Sequence, residues 1–295
     1  MNDPKIHGGP PLVRPHSTAI SRPGDKQMQD LKAQLKTRVK RIVPTFLIHT
    51  ARNQVVFCNR WFRYPKIVGD FWRFNAMSGG SHRFCSRITD FDPHVGENTA
   101  TTQFDHHYVY HPAWAARILR QTCPVEHVDI SSSLSFCTLV SAFVPMRFYD
   151  YRPAQIELSN LYCGHADLTC LPFGDGSIPS LSCMHTVEHI GLGRYGDALD
   201  PDGDIKAMRE LHRVLANDGN LLFVVPLGRP KLIFNAHRIY SYDQILEAFA
   251  GLSLRQFALI PDANFGTHFV LDASKEMADR QSFGCGCFWF RKVAG

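Results

Sequence analysis

The sequence predicts an α/β fold built on a mostly parallel sheet, preceded by a basic N-terminal extension. Three observations carry that expectation. From Val125 onward, short apolar segments of strand length alternate with helix-length segments, the order that lays helices on the faces of a parallel sheet. Several of the strand-like segments end in a carboxylate. Charge also divides along the chain, with 16 Lys and Arg against 6 Asp and Glu in residues 1–95 (+10), and 16 against 21 in residues 96–295 (−5). These shifts mark a mobile arm at 1–25, a basic, aromatic-rich segment at 26–95 and an α/β domain at 96–295.

The arm is rich in Pro, Gly and His and has no apolar period. Met28, Leu31, Leu35, Val39 and Ile42 then recur at steps of three and four, which predicts a short basic amphipathic helix stopped near Pro44. Arg60-Trp61-Phe62-Arg63-Tyr64-Pro65-Lys66 and Phe71-Trp72-Arg73-Phe74 follow. Interleaved arginines and aromatics suit either a small core or stacking on bases and sugars. In the larger part, Val125–Ile130 reads as a strand ending at Asp129, with a serine turn at 131–133 and an apolar helix at Leu134–Val144. Strands are expected at Met146–Asp150, Gly164–Asp167, Ile178–Met184 and Asn220–Pro226. A helix capped by Asp202 or Asp204, with Ile205, Met208, Leu211 and Leu215 on one face, precedes the turn Asn217-Asp218-Gly219. Ser253–Ile260 and Cys285–Phe290 complete the set.

Composition narrows the class. Of 295 residues, 44% are hydrophobic and 20% charged, enough to bury a sizeable core. No apolar run approaches the ~20 residues of a membrane-spanning helix, and the proline-containing N-terminus lacks the apolar stretch of a secretory signal. The expectation is a cytoplasmic protein. Its nine cysteines include no CxxC pair, which predicts reduced thiols. Cys285 and Cys287 would share one face of a core strand.

Strand ends carry the chemistry. Asp129 and Asp150 are 21 residues apart, the interval at which a nucleotide-binding βαβ unit presents an acid to ribose hydroxyls. Asp167 follows at the next strand end. Ligands of open α/β sheets bind beyond the carboxyl ends of the strands, so these acids are expected around one ligand. Histidines gather there too: His106 and His107 before the sheet, His185 and His189 after the fourth strand, His237 after the fifth. A neutral imidazole could take a proton from an acceptor hydroxyl, with Glu188 or Asp105 orienting it.

Residues 100–291 resemble class I S-adenosylmethionine-dependent methyltransferases. More specifically, His185-Thr186-Val187-Glu188-His189-Ile190-Gly191-Leu192-Gly193-Arg194-Tyr195-Gly196-Asp197, Glu210-Leu211-His212-Arg213-Val214-Leu215 and Phe234-Asn235-Ala236-His237-Arg238 resemble the bacterial methyltransferase-like family called domain of unknown function 268. The resemblance implies a Rossmann-like, mostly parallel seven-stranded sheet with a reversed last strand, for which Cys285–Phe290 is suitable. It implies S-adenosylmethionine as cofactor, with Asp150 on the ribose and Asp167 and Leu168 at the adenine; Asp129, Ser131, Ser133 and His185, at the neighbouring strand ends, are expected to complete that site. His189, Glu188 and His237 are the expected catalytic residues, and His107, Asn235 and Arg238 the expected acceptor contacts. A polar acceptor methylated on O or N is expected, with a sugar or glycan precursor favoured because the family resembles proteins linked with polysaccharide biosynthesis.

One departure stands out. Where the superfamily's first loop is usually glycine-rich, this chain has Asp129-Ile130-Ser131-Ser132-Ser133; a serine can donate to a carboxylate, but its Cβ restricts φ. His185-Thr186-Val187-Glu188-His189 also fits H-x-x-E-H, a zinc-protease pattern that needs a helix of useful length. Gly191 and Gly193 leave room for about a turn, so no metal is expected from that motif. The alternative to an enzyme is a non-catalytic binding or scaffold module that contacts a polyanion through its basic first third. The charge division yields a test: association with an anionic polymer should reside in Lys26–Arg73 and weaken with added salt. A truncation beginning at Gly96 that retains full polyanion binding contradicts it.

Overall fold

The structure, a computed structural model, describes residues 64–77, 84, 86–262 and 268–293. The arm at 1–25 and the amphipathic segment at 28–42 lie outside them. Two units are distinguished, Met1–Thr102 and Gln103–Gly295. In the first, helix α1 (Tyr64–Met77) carries the second aromatic stretch and buries none of its residues. Trp72 and Phe74 are exposed. Phe71 meets Trp72 and Phe91 edge-on at 5.3 and 5.2 Å.

The second unit runs α2 (His106–Thr122), β1 (His127–Ile130), α3 (Leu134–Val140), β2 (Met146–Asp150), β3 (Leu161–His165), β4 (Ile178–Met184), α4 (Gly203–Val214), β5 (Leu215–Leu227), β6 (Lys231–Ile233), β7 (His237–Ile239), α5 (Tyr242–Ala248), β8 (Leu252–Ile260), α6 (Lys275–Asp279) and β9 (Gly284–Lys292). Seven strands form one sheet in the order β3-β2-β1-β4-β5-β9-β8, while β6 and β7 form a separate hairpin. Pairings from β3 through β5 are parallel. Strand β9 is antiparallel to both β5 and β8. This is the Rossmann-like methyltransferase fold with its reversed last strand.

Alternation along the central strands sorts side chains between two cores. Leu221, Phe223 and Val225 pack on one face with Met208, Leu211 and Phe288. Leu222 and Val224 pack on the other with Trp114, Phe136, Cys285 and Cys287. Burial on both faces is what the unbroken apolar run of β5 requires. Helix starts are fixed by side-chain caps: Asp105 accepts from the Tyr108 N–H at 3.1 Å, and Ser241 with Gln244 forms a reciprocal capping box. No helix of the described residues is long and apolar enough to cross a membrane.

Several expected boundaries shift. The first strand starts at His127 because Val125 is exposed, and the helix after it ends at Val140 rather than Val144. Strand β3 occupies Leu161–His165, leaving Asp167 in the following turn. On α4 the buried face is Ala207, Met208, Leu211 and Val214, whereas Ile205 is exposed and Leu215 already belongs to β5. Asp202 precedes this helix without a capping hydrogen bond. Asp218 adopts a left-handed φ of 59° within β5, near the register shift between Ile178 and Ser180.

A buried polar chain ties β1 to β4. His127 Nδ1 meets Ser180 Oγ at 2.7 Å and Nε2 meets Ser182 Oγ at 2.8 Å. Ser182 also donates to Asp129, which accepts from the Ser132 N–H at 3.0 Å. Burial pushes the Asp129 carboxyl up to about 6 and holds the His127 imidazole down to about 3. Because the unfolded imidazole titrates near ~6.5, His127 contributes stability that is full above that pH and is lost as pH falls toward the folded value. Asp129 runs oppositely, its contribution being full at low pH and lost as pH rises through about 6. We expect the stability advantage of wild type over His127→Gln to shrink by about 3 kcal/mol between pH 7 and pH 4, read from urea unfolding. A pH-independent difference contradicts this assignment.

Candidate functional site

Beyond the carboxyl ends of the parallel strands lies a cavity of about 320 Å³, whose lining includes Ser131, Asp150, Asp167, Leu168, His185 and His189. Its position follows from topology: β1 and β4 are neighbours whose connections leave on opposite sides, opening a crevice at their ends. Asp150, the last residue of β2, accepts the Arg152 N–H at 2.7 Å through Oδ1. Its Oδ2 has no hydrogen-bond partner among the described residues and can serve a ligand hydroxyl. Asp167 Oδ1 accepts from the Thr169 N–H and hydroxyl at 2.8 and 2.7 Å. Leu168 and Ala166 are buried and add apolar surface to the cavity lining. A free carboxylate oxygen beside a small apolar slot suits an adenosine moiety.

Ser131 takes a left-handed φ of 57°, so the tight first turn forms without glycine, at a cost of ~1–2 kcal/mol. Its N–H donates to Tyr149 O at 2.8 Å, and its carbonyl accepts the Thr186 hydroxyl at 2.8 Å. These bonds lock the turn against β2 and the end of β4.

The motif after β4 builds the opposite wall. Val187–His189 forms a single 3-10 turn, too short for the helix that an H-x-x-E-H zinc grip requires. Asp197 folds the glycine segment around itself, accepting from the N–H groups of Gly191, Gly193 and Tyr195 at 2.8, 3.3 and 3.1 Å. Burial raises its carboxyl, but these backbone donors outweigh that and hold it below the ordinary carboxylate value. Gly191 has a φ of +78°, and a Cβ there would stand 2.0 Å from Asp200 O; no other residue fits that approach. Arg152 lies over the Tyr195 ring at 4.7 Å, and both line the cavity mouth.

Glu188 is 1% exposed and its Oε1 lies 2.9 Å from His185 Nδ1. A carboxylate can only accept, so Nδ1 carries a proton, and in the neutral ring Nε2 is a bare lone pair. His189 Nδ1 lies 2.6 Å from Ala236 O, which likewise assigns its proton to Nδ1, and its Nε2 is 3.8 Å from Glu188 Oε1. Burial lowers the His189 pKa, keeping the ring neutral and able to accept a proton. His237 is lowered in the same way, its ring centroid standing 6.4 Å from that of His189.

The expected site residues thus separate. The cavity brings together Ser131, Asp150, Asp167, Leu168, His185 and His189, with Glu188 directly behind the two histidines. Asp129 is fully buried and committed to Ser132 and Ser182. Ser133 caps α3 by accepting from the Phe136 N–H. His107 packs beside His185, with centroids 5.4 Å apart, and is not part of the cavity lining. Asn235 is exposed between β6 and β7. Arg238 is spent within its own chain, donating to Ile190 O at 2.7 Å and Pro201 O at 3.1 Å and lying 3.5 Å from Asp204. Arg213, from the second motif, is also structural, gripping Glu210, Asp175 and the carbonyls of Leu171 and Phe173. Sequence reasoning missed Tyr195 and Arg152, whose partnership has no short-range signal. It also missed His111, although its spacing of four from His107 puts both on one helix face.

The family model described as "Caenorhabditis protein of unknown function, DUF268" matches residues 177–257. All three motifs that carried the resemblance fall inside that range; the description names Caenorhabditis where the sequence reading expected a bacterial family. No curated protein matches the chain. Among solved structures, a putative sarcosine dimethylglycine methyltransferase from Galdieria sulphuraria is 14% identical, covering 62% of this chain and 84% of its own, with a TM-score of 0.44. A 1,6-didemethyltoxoflavin-N1-methyltransferase from Burkholderia thailandensis, with bound 1,6-didemethyltoxoflavin and S-adenosylhomocysteine, is 12% identical over 63% and 79%, with a TM-score of 0.43. The N-methyltransferase NodS from Bradyrhizobium japonicum, in complex with S-adenosylhomocysteine, is 11% identical over 62% and 86%, also at 0.43.

Arg238 supplies the test of this geometry. Replacing it by Met strips the carbonyls of Ile190 and Pro201 and the Asp204 carboxylate of their partner, and should lower unfolding stability by roughly 2–4 kcal/mol. Unchanged stability with only a raised KM would return Arg238 to the acceptor site.

Proposed function

We propose that the chain is an S-adenosylmethionine-dependent methyltransferase acting on an oxygen or nitrogen of a polar acceptor, with a sugar or glycan precursor as the acceptor class. The observation that carries this reading is the single cavity joining Asp150 to His189 at the carboxyl edge of the sheet. When bound, the cofactor supplies an electrophilic methyl group. Asp150 Oδ2 would accept from the ribose hydroxyls, and Asp167 with Leu168 would meet the adenine. His189 receives the acceptor's proton at Nε2, its Nδ1–H being held on the Ala236 carbonyl. Glu188, at 3.8 Å from that Nε2, stabilises the imidazolium that results. The chain's own work is therefore to orient two reactants and take up one proton.

Calorimetric titration with S-adenosylmethionine and with its demethylated product tests the reading. Wild type should bind both, and Asp150→Ala should weaken binding by about 1.5–3 kcal/mol, from tenfold to more than a hundredfold. His189→Ala should leave cofactor affinity nearly unchanged and lower turnover by ~10² or more. With a base whose pKa is lowered, turnover should fall only as pH drops below the ordinary histidine range. No binding by wild type would favour the scaffold alternative, and equal affinity in Asp150→Ala would remove that residue from the site.

A further inference from the structure

Three elements bring metal-ligating side chains together behind the cavity wall. His107 comes from the first turn of α2, His185 from the left-handed turn that ends β4 (φ 57°), and Cys285 from the start of β9. One ligand atom from each lies within 4.8 Å of the other two. In a tetrahedral centre with metal–nitrogen and metal–sulfur bonds of ordinary length, neighbouring donors stand about 3.5 Å apart.

Proximity alone is not the argument. His185 is only 5% exposed, and its Nε2 is buried with no hydrogen-bond partner among the described residues. Its Nδ1 is held by Glu188, so in the neutral ring Nε2 presents a lone pair. A carboxylate behind an imidazole whose far nitrogen is bare is the arrangement that orients metal-bound histidines. His111, one turn after His107 on the same face of α2, repeats the pattern. Its Nδ1 meets His107 O at 2.6 Å, and the carbonyl can only accept. Its Nε2 is therefore also a bare lone pair, buried and unpartnered, and its ring lies 5.1 Å from that of His185. Two buried acceptors without donors are costly when unsatisfied. One cation answers both.

We propose that His107, His185 and Cys285, with His111 as the fourth donor, form a binding site for a divalent transition metal of the zinc class. Imidazole and thiolate ligands select that class over magnesium and calcium, which prefer oxygen. Four protein donors close the coordination sphere, so the ion is structural. It pins α2 and β9 to the turn after β4, the element whose Glu188 also faces His189. Burial pushes the Cys285 thiol upward, so ion binding releases its proton to solvent. This set differs from the H-x-x-E-H reading, because His189 is engaged with Ala236 and contributes nothing to it. The site also stands independently of the methyl-transfer reading.

The test uses the full chain and zinc or cobalt alone. Chain purified without chelator should hold about one zinc per molecule by elemental analysis. X-ray absorption at the metal edge should give a first shell of three nitrogens and one sulfur. After stripping and reloading with cobalt, the spectrum should show tetrahedral bands with a thiolate charge-transfer band. His107→Ala and Cys285→Ser should each weaken metal binding at least tenfold, whereas Cys287→Ala and His189→Asn should retain it. Should the ligand variants fail to fold, the wild-type first shell decides alone. No tightly held metal after zinc loading, a shell without sulfur or with two, or loss of metal in His189→Asn but not in His107→Ala would overturn the proposal.

Discussion

The buried carboxylate of Glu188 is the constraint on which the sheet's working edge depends. Almost no water reaches it, and only one of its oxygens has a hydrogen-bond partner among the described residues. One oxygen serves His185 at 2.9 Å and stands 3.8 Å from His189. That single oxygen fixes the tautomer of the first ring and the electrostatics of the second. Removing it would leave two buried rings without their orienting charge, a change felt on both sides of the cavity wall. Within a low-dielectric surrounding, such a pair is strong when complete and costly when broken.

This carboxylate can sit there only because the chain turns sharply at the ends of β1 and β4. Ser131 and His185 both adopt left-handed backbone conformations, which reverse direction within a residue and aim side chains across the strand ends. The turns support each other, since Thr186 donates its hydroxyl to Ser131 O. Asp197 then gathers the glycine-rich segment with backbone hydrogen bonds. Arg238 fastens that segment to the β6–β7 hairpin. Strain, hydrogen bonding and close glycine packing thus combine to hold one wall of the cavity, while the parallel strands hold the other.

Much of the fold was legible because burial writes itself into apolar runs. Strands β2 and β4 match their expected limits, since each is an apolar run bounded by turn residues. The β6–β7 hairpin was not legible, being short, largely exposed and charged. The carboxylates show where sequence reading stops. Asp129 and Asp150 both lie at strand ends, yet β1 is buried throughout while β2 ends in a partly exposed residue, so Asp129 turns to Ser132 and Ser182. Asp150 closes β2 at the cavity, with one oxygen bonded to the Arg152 N–H. Likewise the motif Phe234–Arg238 marked an important segment, but not that Arg238 would bind its own backbone. Which partner a polar side chain finds is decided by elements distant in sequence, and a single chain of letters does not record that choice.

Nuclear magnetic resonance of the imidazole nitrogens tests the central claim, that Glu188 holds His185 as the Nδ1-protonated tautomer with a bare Nε2. In chain labelled at histidine nitrogen and freed of metal, the His185 resonances should report a protonated Nδ1 and an unprotonated Nε2 near neutral pH. In Glu188→Gln the preference should weaken or reverse, because the amide can donate as well as accept. A wild-type His185 protonated at Nε2, or a tautomer unchanged by the Glu188 substitution, would contradict the account.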